Sequence, residues 1–183
     1  LSSMIIVGLP YMVTERLGFD AALANRLYGF AQGALAAGGL AGGIGAGIFA
    51  KKLCMQRCGD LILFAAACVF PIGLVLIFAA SGLVNYLVMT VCCFIIMVCS
   101  TVFTVQMMSF VQAETPQHLI GKVIAVILAV SMCAQPVGNA LYGILFEACK
   151  GYEFGVVLFA GTASMIIAVK TRNIFKHISS ELR

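Results

Sequence analysis

The chain has 183 residues, 62% of them hydrophobic and only 10% charged, with eleven Lys plus Arg against seven Asp plus Glu and a net charge of +4. A soluble domain carries about 25% charged residues, so this chain cannot cover a water-facing surface with polar groups. The same apolar content excludes a disordered segment, and a mean hydropathy of +1.10 predicts an integral membrane protein. No dense basic stripe exists, so nucleic acid is not an expected partner.

Charged and turn-rich gaps divide the chain into six apolar segments, at residues 1–13, 27–50, 61–80, 83–112, 123–146 and 154–169. Helices are the expected form, because an open chain crosses hydrocarbon only as helix. The segments are too long for membrane strands, and their polar residues do not alternate. The expected fold is therefore an all-α, six-helix transmembrane bundle in one domain. The first segment, at 13 residues, would reach only about 20 Å against a bilayer core of about 30 Å. It reads as a cut-short helix, which makes a longer parent chain the expectation. It lacks a charged leader and a small-residue cleavage site, so it does not read as a secretion signal.

Six crossings would put both ends of the chain on one side. That side would hold eight basic residues, namely Lys51, Lys52, Arg57, Lys122, Lys170, Arg172, Lys176 and Arg183. The other would hold three, Arg16, Arg26 and Lys150. The loops are short, where the positive-inside rule is most reliable, so the basic side and both termini are predicted to be cytoplasmic.

The second segment is rich in glycine. Gly29/Gly33, Gly38/Gly42, Gly39/Gly43 and Gly43/Gly47 each stand four apart, a spacing that lines one helix face and lets another backbone approach. Such a face serves helix packing, or a seam that rocks during transport. It is not a phosphate loop, since no strand precedes it and no Gly-Lys-Ser/Thr ends it. Pro116 is expected to stop the fourth helix at Thr115. Gly121 would permit a tight re-entry, and Lys122 would anchor the fifth helix at the cytoplasmic face.

In the fifth segment Pro136 removes one helical hydrogen bond, while Gly138 and Gly143 relieve crowding around the bend. Gln135 and Asn139 lie four apart and share a face. Amides in hydrocarbon turn to the bundle interior or to a cavity. Gln32, Gln106, Gln135 and Asn139, with the hydroxyl of Tyr142, are therefore the candidates for lining a substrate cavity. Tyr28 offers a second hydroxyl, and Tyr11, Tyr86 and Tyr152 suit an interfacial belt. No acidic or basic residue falls at the centre of a segment. Glu147, near the outer end of the fifth, is the candidate for proton coupling if a cavity reaches it; otherwise it is an interfacial residue.

Cys68, Cys92, Cys93, Cys99 and Cys133 lie in apolar runs, where a thiol acts as a small apolar filler. Cys54 and Cys58 flank a basic loop without a partner pair, and His118 and His177 are isolated, so neither a metal nor any other cofactor is expected. No nucleophile, base and carboxylate come together, and an enzyme is not expected.

The glycine-rich segment, the basic loop after it, and the stretches QAETPQHLIGKV and AQPVGNALYG resemble the C-terminal half of major facilitator superfamily transporters, in the macrolide-efflux-like, drug-exporter branch. The resemblance covers nearly the whole chain, as helices seven to twelve. Gln112, Pro116, Gly121, Lys122 and Val123 match that branch's Q-x-x-x-P…G-R-V pattern, with Lys122 in place of Arg. Pro136, Gly138 and Gly143 match its eleventh helix. Gly47, Lys51, Lys52, Arg57 and Gly59 loosely match the superfamily's cytoplasmic gate signature, but Phe49-Ala50 stand where its acidic residue belongs, and Asp60 comes too late. The resemblance implies a multidrug antiporter or permease of a bacterial plasma membrane. It would work by proton-coupled efflux of small hydrophobic or amphipathic compounds and alternating access, with an N-terminal six-helix half of the same parent chain as partner. This half alone would be inactive. Two other readings fit the residues: a non-transport membrane structural or assembly protein, and a half-transporter that pairs with itself.

Overall fold

A computed structural model describes residues 5–8, 20–49, 55–77, 82–149 and 152–181. Every element among them is helical. After a helical turn at residues 5–8 come α1 (Ala21–Phe49), α2 (Met55–Ala67), α3 (Val69–Ile77), α4 (Gly82–Glu114), α5 (Ile120–Ala148) and α6 (Glu153–Glu181). Among the described residues three stretches are long and apolar enough to cross a membrane: Gly82–Glu114, Ile120–Ala148 and Phe154–Asn173. The described residues are thus all-helical and compatible with a membrane protein. Most of the first segment, residues 1–4 and 9–13, lies outside the described residues.

The third segment departs from expectation. It begins earlier, at Met55, and breaks at Cys68 into α2 and α3. Pro71, four residues beyond Ala67, cannot donate to that residue's carbonyl, and its ring crowds it. The other helices outrun their apolar cores because flanking polar residues also propagate helix. α1 starts six residues before residue 27, and its first turn opens with the Ala24 N–H donating to the Asp20 carbonyl at 2.8 Å. α6 runs twelve residues past 169. The fourth helix ends where Pro116 requires. Thr115 closes it, its N–H and hydroxyl both donating to the Val111 carbonyl, at 3.1 and 2.6 Å. A turn from Pro116 to Leu119 then leads into α5. Gly121 sits in the first turn of α5 with open space beside it, so it permits no special approach.

α4 is central, packing against α1 on one side and α2 and α3 on the other, while α6 packs on α2 and α3. α1 and α4 run parallel: Leu27 meets Tyr86, Gly38 meets Phe94, Gly42 meets Val98, and Ala46 meets Gln106. α2–α3 runs antiparallel to α6, with Gly59 against Arg172, Val69 against Gly161 and Gly73 against Leu158. Both seams use glycine because helices in lipid associate through close packing, without a hydrophobic drive between them. Asp60 Oδ1 lies 2.7 Å from Arg172 Nε, which puts the start of α2 and the last turns of α6 at one end of the bundle. Cys92, Cys93 and Cys99 carry free thiols within the core, whereas Cys133 is exposed. Tyr86 is also a core residue, its hydroxyl donating to the Leu27 carbonyl at 2.8 Å; it ties α4 to α1 where a belt position was expected.

α5 stands apart. Only Phe146 is buried along it, against the turn at residues 5–8. Val126, Val130, Met132, Val137 and Ile144 are all more than 60% exposed. Its contact with α6 is sparse.

Candidate functional site

A cleft of about 440 Å³ opens where the turn at residues 5–8, α1, α4 and α5 meet. Ile5 and Ile6 form one wall, and Leu35, Ala36 and Gly39 of α1 another. Met97 of α4 closes the floor, and Gln32 and Gln135 bring two amides from α1 and α5. Gln32 is exposed and donates its Nε2 to the Tyr28 hydroxyl at 2.7 Å. The two residues stand one turn apart on α1, so the pair is local and leaves the amide carbonyl as an acceptor.

The five cavity candidates therefore separate. Gln32 and Gln135 come together on the cleft. Gln106 does not line it: it is buried and donates to the Ala46 carbonyl at 3.3 Å, joining the far ends of α4 and α1. Asn139 is half-buried one turn beyond Gln135, and its Oδ1 has no hydrogen-bond partner. Tyr142 is half-buried on the same face, its ring centroid 6.5 Å from that of Phe146. Glu147 is exposed, twelve residues past Gln135 and so about 18 Å along the helix.

The glycines divide too. A Cβ on Gly38 would come 2.9 Å from the Phe94 carbonyl oxygen, and one on Gly42 would come 2.7 Å from that of Val98. These two seat α1 on α4. Gly39 only grazes Thr101, at 4.0 Å, and Gly29, Gly33, Gly43 and Gly47 face open space. In α5, Pro136 is exposed, Gly138 half-buried and Gly143 free of neighbours. Gln112, Pro116 and Lys122 are exposed around the α4–α5 turn. Arg57 falls in the first turn of α2, and Lys51 and Lys52 lie outside the described residues.

Sequence reasoning missed the apolar walls. Ile5, Ile6 and Met97 are ordinary members of apolar runs, and nothing local sets them apart from lipid-facing neighbours. The Asp60–Arg172 pair was equally hidden, because it joins residues 112 apart in the chain.

The arrangement defines a class: a helical bundle with an open, apolar, amide-bearing cleft beside a helix whose surface is largely uncovered. No protein-family model, curated protein or solved structure matches the chain.

Proposed function

We propose that the chain is the second six-helix half of a secondary active transporter. It would cross the membrane six times with both ends in the cytoplasm, and export small hydrophobic or amphipathic compounds by alternating access. The cleft carries this reading. It sits midway along α1 and α5, it is walled by apolar side chains, and its two amides among the described residues come from two different helices. Midplane sites between helices of paired halves are how such transporters hold cargo. The uncovered surface of α5 supports the same reading, since it gives a second half somewhere to pack. Export in this scheme is driven by the proton gradient; Glu147, exposed near the end of α5 and not among the residues that line the cleft, is left as an interfacial residue.

The test is export of the neutral dye N-phenyl-1-naphthylamine from cells making the complete parent chain. Expressing cells should hold less dye than controls, and a protonophore should abolish the difference. Equal dye content with and without expression sinks the proposal. Residues 1–183 alone should give no gradient-dependent flux in liposomes.

A further inference from the structure

The cleft's chemistry points to a narrower cargo than hydrophobic compounds at large. Among the described residues four elements meet there, the turn at residues 5–8, α1, α4 and α5. The acidic and basic residues of these elements are Arg26, Glu114, Lys122 and Glu147, all within six residues of a helix end. Gln32 and Gln135 hold the middle. Along its helix Gln135 is about 18 Å or more from either charge of α5, and Gln32 is about 9 Å from Arg26. An ionic ligand seated between the amides would therefore have no counter-charge beside it among the described residues of this wall, and would lose its water once lipid or a second half closed over the cleft. An unpaired ion in such surroundings is strongly disfavoured. An amide, by contrast, both donates and accepts, and satisfies a neutral polar group.

We infer that this wall selects an uncharged amphiphile: an apolar body against Ile5, Leu35 and Met97, and one neutral hydrogen-bonding group between Gln32 and Gln135. The inference rests on the cleft being the cargo site. It also gives each amide a task that plain helix packing would not. Neither amide bonds to another helix among the described residues, whereas Gln106 does.

The chain has no tryptophan, so Ala36→Trp places a single emitter at the exposed edge of the cleft. The protein is the 183-residue chain in mild detergent. The probes are N-phenyl-1-naphthylamine, its anionic sulfonate relative 1-anilinonaphthalene-8-sulfonate, and the cation tetraphenylphosphonium. The first two accept energy from tryptophan. Ile144→Trp on the exposed side of α5 reports plain partitioning into the micelle. The expected result is saturable quenching at position 36 but not at 144. The neutral dye should bind at least about tenfold tighter than the sulfonate, a difference of about 1.4 kcal/mol. The phosphonium should fail to displace it. Gln135→Leu should weaken the neutral dye severalfold, read also from dye emission on protein without the tryptophan, in case Ala36→Trp folds poorly. Saturable binding in which the sulfonate or the phosphonium equals the neutral dye overturns the selectivity and leaves the cleft as a site. No saturable binding of any probe overturns both.

Discussion

Gly42 offers the sharpest check on how α1 and α4 are joined. Replacing it with alanine adds a Cβ that would sit 2.7 Å from the Val98 carbonyl oxygen, 2.8 Å from Thr101 Cβ and 3.2 Å from Val98 Cα. Two of those atoms are backbone, so no side chain can rotate away. Carbon contacts are comfortable at about 3.5 Å, so the helices must part by about 1 Å, and a gap of that size forfeits roughly a quarter to a half of each dispersion contact along the seam. Overpacking of this kind costs about 1–3 kcal/mol. A central value of about 2 kcal/mol is roughly a thirtyfold change in the folding equilibrium. Gly43, the next residue, has nothing within 4 Å. Alanine there removes only the flexibility of glycine, and gains up to about 1 kcal/mol. The assay is unfolding by titration of sodium dodecyl sulfate into mild-detergent micelles, followed by circular dichroism. Labelling of the buried Cys93 thiol gives a second readout of seam opening. Gly42→Ala should unfold at clearly lower denaturant, and Gly43→Ala at or above the parent value. A Gly42→Ala midpoint equal to that of Gly43→Ala would refute the close approach.

Tyr86→Phe should cost about 1 kcal/mol in the same titration, through loss of the bond to the Leu27 carbonyl. Gln106→Leu, whose bond at 3.3 Å is longer, should cost about 0.6 kcal/mol or less; the reverse order would contradict the assigned partners. Asp60→Asn should change stability by less than about 1 kcal/mol, because its ion pair with Arg172 is substantially exposed. Gly59→Val should cost more than Asp60→Asn, since a Cβ there would lie 3.0 Å from Arg172 Cα. Asn139→Leu should raise the unfolding midpoint, by removing an occluded acceptor whose missing bond costs about 1–3 kcal/mol; a lower midpoint would mean that the amide has a partner. With the native cysteines removed, Lys51→Cys and Lys122→Cys should both react with a membrane-impermeant maleimide from the same side. Labelling from opposite sides would rule out the six-crossing topology.

The helical class was legible from composition, because sparse charge and long apolar runs leave few other folds. The stop at Thr115 was legible because proline acts on its immediate neighbour. The break at Cys68 was missed, although its signal, Pro71, is just as local. What could not be read was which glycines carry the packing. Gly38/Gly42 and Gly29/Gly33 have the same spacing, and only the position of α4 decides that the first pair is filled and the second is not. The amides illustrate the same limit. Gln106 and Gln135 are identical residues in similar apolar surroundings, yet one is spent joining two helices and the other borders the cleft. Sequence separation explains the difference: each of these assignments depends on a partner about 60 to 100 residues away, and no local pattern encodes it.

Tyr86 and Gln106 stand twenty residues apart on α4, about 30 Å along its axis, and each grips a backbone carbonyl of α1. Between them Gly38 and Gly42 form a notch moulded to the neighbouring backbone. A rod fastened near both tips and keyed in its middle cannot translate along its companion by even one residue without undoing all three attachments together. α1 and α4 therefore hold together as a single strut, and among the described helices α5 is the one with the fewest ties to its neighbours.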